Sequence, residues 1–176
     1  QALELILPAI NAQHLPCLVL YGNSLNGDSA NLKIAADKNF PLAHYYLSIG
    51  SDDGGYHYKV DNEGSHLHYR VLAVNAGMLL PSLSLASKTI LPFWDIFTES
   101  QKNNLKPQLA SIMNTLRIYR SQHSNCSFVY TKLIAKFYTE PFITEDDNHF
   151  AILNIQKIIL NDPREAYSDI KFFCEL

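Results

Sequence analysis

The chain of 176 residues is 47% hydrophobic and 18% charged, with a net charge of −3. That balance belongs to a folded globular protein, and the scattered Lys and Arg form no basic block of the kind nucleic acid requires. No apolar run reaches the roughly 18 residues that a membrane span needs.

The cysteines, Cys17, Cys126 and Cys174, are odd in number and widely spaced. They suit neither a disulfide framework nor a CxxC zinc site, and they point to a reducing compartment, either a cytoplasm or a host cell that receives a secreted protein. The chain begins at Gln1 rather than Met and reads as an excised domain.

In chain order, Leu3, Leu7 and Ile10 lie at helical spacing, so residues 1–15 predict a first helix with an interruption at Pro8. Pro16 marks a break, and the short apolar run 17–21 fits either a helix or a strand. Asp28 or Ser29 can cap a helix that runs to Asp37, because a short side-chain oxygen there satisfies free backbone N–H groups. Asn39 tolerates the left-handed conformation of a helix end, and Pro41 suits the first turn of the next helix, which extends to about residue 51.

Residues 54–71 admit two readings. Residues 56–60 and 66–71 alternate like strands around the turn-forming Asp61-Asn62-Glu63-Gly64, which reads as a β-hairpin. Alternatively, 65–76 is a helix that ends at Ala76-Gly77. Beyond it, a partner helix over 79–90 ends near Pro92. A long helix is expected from Ser100 to about Ser121, its start moved towards Lys106 by Pro107. Further helices are expected over 128–138, from Thr144 to Asn161, and from Asp162 to the C-terminus, the last burying Ala166, Ile170 and Phe173.

Two stretches share a pattern. Ala73 follows Ala35 by 38 residues, and at the same offset Gly77 follows Asn39 and Leu85 follows Leu47. A period of about 20 to 50 residues is the signature of stacked helical hairpins. The first copy reads Ala35-Ala36, Asn39, Ala43, Leu47-Ser48, and the second reads Ala73-Val74, Gly77, Pro81, Leu85-Ala86. Residues 29–87 thereby resemble the Sel-one-like repeat, a relative of the tetratricopeptide repeat. Asn39 and Pro81 depart from that family's small residues, and neither copy has its Leu-Gly pair. The resemblance implies an α-solenoid segment whose surface binds another protein.

The chemistry-bearing residues each have a plain alternative. His57, His66 and His68, with Asp52, Asp53, Asp61 or Glu63, would form a metal site if a hairpin placed His66 and His68 on one face; a surface loop rich in His and Tyr is the simpler explanation. Cys17 is a candidate nucleophile with His44 or His57 as base, but its apolar setting suits inert packing. Glu145-Asp146-Asp147 ahead of His149 reads as a solvated helix start rather than an acid–base site. Tyr45, Tyr46, Tyr56, Tyr58 and Tyr69 are the candidate binding residues, since tyrosine offers contact area with a polar tip.

The expected architecture is all-α in a single domain over 1–176. Repeat-like helix pairs over 29–90 form a short solenoid-like array, and a helical bundle follows over 100–176, with the 56–71 hairpin as the competing local reading. The expected function is non-enzymatic binding of another protein, with no catalytic residue, metal or cofactor. The Asn-, Ile- and Lys-rich wording points to a bacterial origin and to a secreted effector as one setting. The alternative function is a small cysteine-dependent hydrolase or transferase, or a His-rich metal site at 57–68.

Overall fold

The computed structural model describes residues 2–23, 29–49 and 66–161. The fold is all-α, and no strand occurs among the described residues. Of the alternative hairpin, residues 66–71 are helical, whereas 56–60 lie outside the described residues, as do Asp28, Cys174 and the C-terminal helix expected after Asp162. The chain divides into two compact units, Gln1–Pro81 and Ser82–Leu176.

The first unit contains α1 (Ala2–Asn11), α2 (Leu15–Gly22), α3 (Ser29–Asp37), α4 (Pro41–Ser48) and α5 (His66–Asn75). The residues 17–21, open to either reading in sequence, are helical. Each helix packs chiefly on its neighbour in sequence: α1 on α2, α2 on α3, α3 on α4 and α4 on α5. Their core is Leu18, Val19, Leu32, Ala35, Ala36 and Ala43, with Ile10, Phe40, Tyr46, Leu47 and Tyr69 packed around it. The buried alanines let helix backbones approach closely, and the larger side chains close the edges.

Three helices of this unit end in the same turn. Asn39 has φ 56° and Gly77 φ 75°. Phe40 N–H donates to the Ala35 carbonyl and Asn39 N–H to that of Ala36, at 3.1 and 2.8 Å. Met78 N–H donates to Ala73 and Gly77 N–H to Val74, at 3.1 and 2.9 Å. These are paired six-to-one and five-to-two bonds that satisfy the last carbonyls of a helix. The third case is Gln13, φ 55°, where His14 N–H donates to Ala9 and Gln13 N–H to Ile10, both at 2.8 Å. Nothing in the chemistry of Gln13 announces that conformation.

In the second unit, α6 (Leu79–Leu85) straddles the division and leads into a π-helical turn at Ala86–Ile90 and a short α7 (Leu91–Phe93). The expected helix over 79–90 is therefore remodelled in its last turn. The wider turn lies directly ahead of Pro92, whose ring an α-helical turn would press against the carbonyl four residues earlier. A 3-10 turn follows at Trp94–Ile96, then α8 (Glu99–Tyr119), α9 (Ser124–Lys136) and α10 (Glu145–Asn161).

Thr98 opens α8 with a reciprocal capping box to Gln101. That cap sets the start at Glu99, and Pro107 lies inside the helix instead of delaying it. Pro8 likewise lies inside α1 rather than interrupting it. Both prolines are exposed, where water reaches the backbone carbonyl four residues earlier. Leu105, Leu109, Ile112, Met113 and Leu116 form the buried stripe of α8, and Cys126, Val129, Tyr130, Leu133 and Ile134 that of α9. Phe97 and Phe137 are buried, and the half-buried Trp94 meets Phe137 edge-on at 4.8 Å. Between α9 and α10, Ser127 Oγ donates to Asn154 Oδ1, whose amide donates to Thr131 Oγ1, at 3.0 and 2.9 Å.

Candidate functional site

Three of the five candidate tyrosines fall on the α4–α5 pair: Tyr45 and Tyr46 on α4, and Tyr69 on α5. All three are half-buried, with the Tyr45 and Tyr46 rings 5.3 Å apart at 52°. Tyr46 and Tyr69 pack on the core of the first unit. Tyr69 is stacked on His44 at 6.0 Å and 22°, and His68 meets it edge-on at 5.6 Å. Tyr56 and Tyr58 lie outside the described residues.

His44 is the buried member of this group, 4% exposed, with no hydrogen-bond partner for Nδ1 among the described residues. Burial first, and the nearby His68 second, push its imidazole below the ordinary value, while Asp37 pulls it the other way.

The metal reading loses its geometry at 66–68. In α5, positions 66 and 68 sit two apart on a helix, and residues at that spacing do not share a face. His57 is outside the described residues. No group of three or more His, Cys, Asp or Glu that could hold a metal ion occurs among the described residues.

Cys17 sits half-buried in the first turn of α2. The imidazole that reaches it is His14, whose Nδ1 is 3.2 Å from Sγ. His44 and His57 were the bases the sequence offered; His44 instead stacks on Tyr69. The i, i+3 spacing of His14 and Cys17 across the helix start was the signal for this contact. Cys126 is fully buried, and burial pushes its thiol up, as befits packing rather than attack.

Among the described residues, the most heavily bonded polar cluster is in the second unit, and the sequence reading missed it. Glu145 and Asp146 are exposed, as a solvated helix start requires, but Asp147 is fully buried. Arg117 clamps its carboxylate with two bonds, Nε to Oδ1 at 2.9 Å and Nη2 to Oδ2 at 2.7 Å. The Tyr130 hydroxyl donates to Oδ1, and Arg120 Nη1 adds a longer contact of 3.4 Å. Thr144 N–H donates to Oδ2 and its hydroxyl accepts from Asp147 N–H, so Asp147 also caps α10.

Burial alone would raise the Asp147 carboxyl, but the bonds from Arg117, Tyr130 and Thr144 prevail and hold it well below the usual carboxylate range. The same partnership with Asp147 raises the Arg117 guanidinium. Arg120 lies over the Phe150 ring at 4.8 Å. This arrangement ties α8, α9 and α10 together and leaves the carboxylate no access to a substrate.

Compared with known proteins, the chain matches no family model, no curated protein and no solved structure.

Proposed function

We propose that this chain is a non-enzymatic protein-binding domain of helical-repeat type, similar to the Sel-one-like repeat over 29–87. One observation carries the reading. The helices preceding Asn39 and Gly77 end in the same turn, 38 residues apart, and the α4–α5 pair within that span carries Tyr45, Tyr46 and Tyr69, each half-buried. Stacked helix pairs bury a face only against neighbours, and half-buried tyrosines suit protein contact because they add area with few torsions to freeze. The partner is another protein.

The test places a photo-cross-linking residue at Tyr45 and quantifies the product with native lysate. A discrete adduct that Tyr46→Ala and Tyr69→Ala each reduce at least about tenfold supports the reading, as expected for an interface anchor. Diffuse labelling that neither substitution changes refutes it.

A second reading, a cysteine-dependent hydrolase or transferase, has the His14–Cys17 contact in its favour. It requires that His14→Ala slow alkylation of Cys17 by iodoacetamide several-fold. An unchanged rate removes it.

A further inference from the structure

His44 combines three features: deep burial, an Nδ1 with no partner among the described residues, and a face-on stack against Tyr69 of the neighbouring helix. Among the described residues, the ionisable groups on the elements packed around α4 are few. From α3 comes Asp37 at its exposed C-terminal end, with the exposed Lys33 on the same helix. Lys38, in the turn after α3, is tied to Gln13 at 2.6 Å. From α5 come His68, Tyr69 and Arg70, the last donating to the Ser48 carbonyl at 3.1 Å. From α4 itself come Tyr45 and Tyr46.

The balance around His44 is therefore unfavourable to a second positive charge. A proton on Nδ1 would create a buried cation whose new N–H has no acceptor. His68 on the neighbouring helix is a second ring whose charge opposes a proton on His44. Asp37 is the opposing carboxylate, and its exposure lets solvent weaken the attraction.

We propose that the α4–α5 pair is an acid-released latch: neutral His44 lets the two helices close, and protonation of His44 parts them. The separation lets water reach Nδ1 and gives its new N–H an acceptor. The inference goes beyond the binding reading and stands without it.

The test is hydrogen exchange of the whole chain at about pH 7.5 and about pH 5.5, corrected for the intrinsic rate. Protection in 41–48 and 66–75 is expected to fall by about tenfold or more at the lower pH, while protection in 105–116 holds. His44→Phe keeps an aromatic ring against Tyr69 without a proton site, and its protection is expected to stay level. His68→Gln retains His44 and is expected to show a smaller fall than the unsubstituted chain. Should His44→Phe misfold, the ring resonances of His44 in the unsubstituted chain still decide the matter. They must titrate together with the loss of protection. Protection that is unchanged by acid, or that falls equally in His44→Phe, overturns the proposal.

Discussion

At Asp147 a single side chain joins three helices. A buried carboxylate held by a two-pronged arginine is stable only while both partners remain, since removal of either leaves a charge stranded in the interior. Asp147→Asn keeps the shape but strands Arg117, and it is expected to lower unfolding stability by about 3 kcal/mol, measured by urea denaturation. The pH dependence follows from direction. The folded carboxyl titrates below its unfolded counterpart, so its stabilisation is fully present above the ordinary carboxylate value of 3.8 and is lost as pH falls further. Asp147→Asn is expected to remove that acid limb from the stability profile. In sequence, Thr144 and Asp147 already carried a capping-box spacing, but the reading of three adjacent acids as solvated held only for Glu145 and Asp146. Whether Asp147 is buried depends on Arg117, which lies 30 residues earlier on another helix.

At the scale of the element, the recurring helix end is the informative feature. Asn39 and Gly77 occupy equivalent left-handed positions with the same two backbone bonds behind them. Glycine adopts that conformation without a Cβ penalty, and asparagine is among the residues that tolerate it best. Gly77→Ala is expected to cost about 1 kcal/mol, whereas Asn39→Gly is expected to change stability by less than about 0.5 kcal/mol, both by thermal or urea unfolding. Similar losses from Gly77→Ala and Asn39→Gly would argue that the two turns are not equivalent in energy. These two ends were readable from Ala35, Asn39, Ala73 and Gly77. The end at Gln13 was not, because glutamine has no special preference for positive φ and only the placement of α2 against α1 demands it. The start of α8 and the interruption expected at Pro8 were misplaced for a related reason: an exposed proline inside a helix costs less than its general penalty suggests when capping or packing favours continuation.

At the scale of the molecule, the two compact units carry ionisable groups with different acid limits. The first holds a buried imidazole that opposes protonation in the range of ordinary histidine chemistry. The second holds a carboxylate whose protonation is pushed to much lower pH. Circular dichroism during acid titration is therefore expected to show two steps. Loss of part of the helix signal should begin below the ordinary imidazole value of 6.5, and the remainder should be lost only below about pH 4. Trp94 belongs to the second unit, so its fluorescence is expected to follow the later step alone. One cooperative transition reported by both probes would contradict the separation. No helix among the described residues is long and apolar enough to cross a membrane.

The sequence by itself determined that the chain is helical and where most of its helices lie, because apolar spacing, caps and glycine or asparagine ends act over one or two turns. Tertiary structure alone decided that Asp147 is an interior anchor, that His44 is sealed against Tyr69, and that 66–71 is helical. Those outcomes depend on desolvation by partners distant in the chain, and local pattern carries no record of which polar side chain will lose its water.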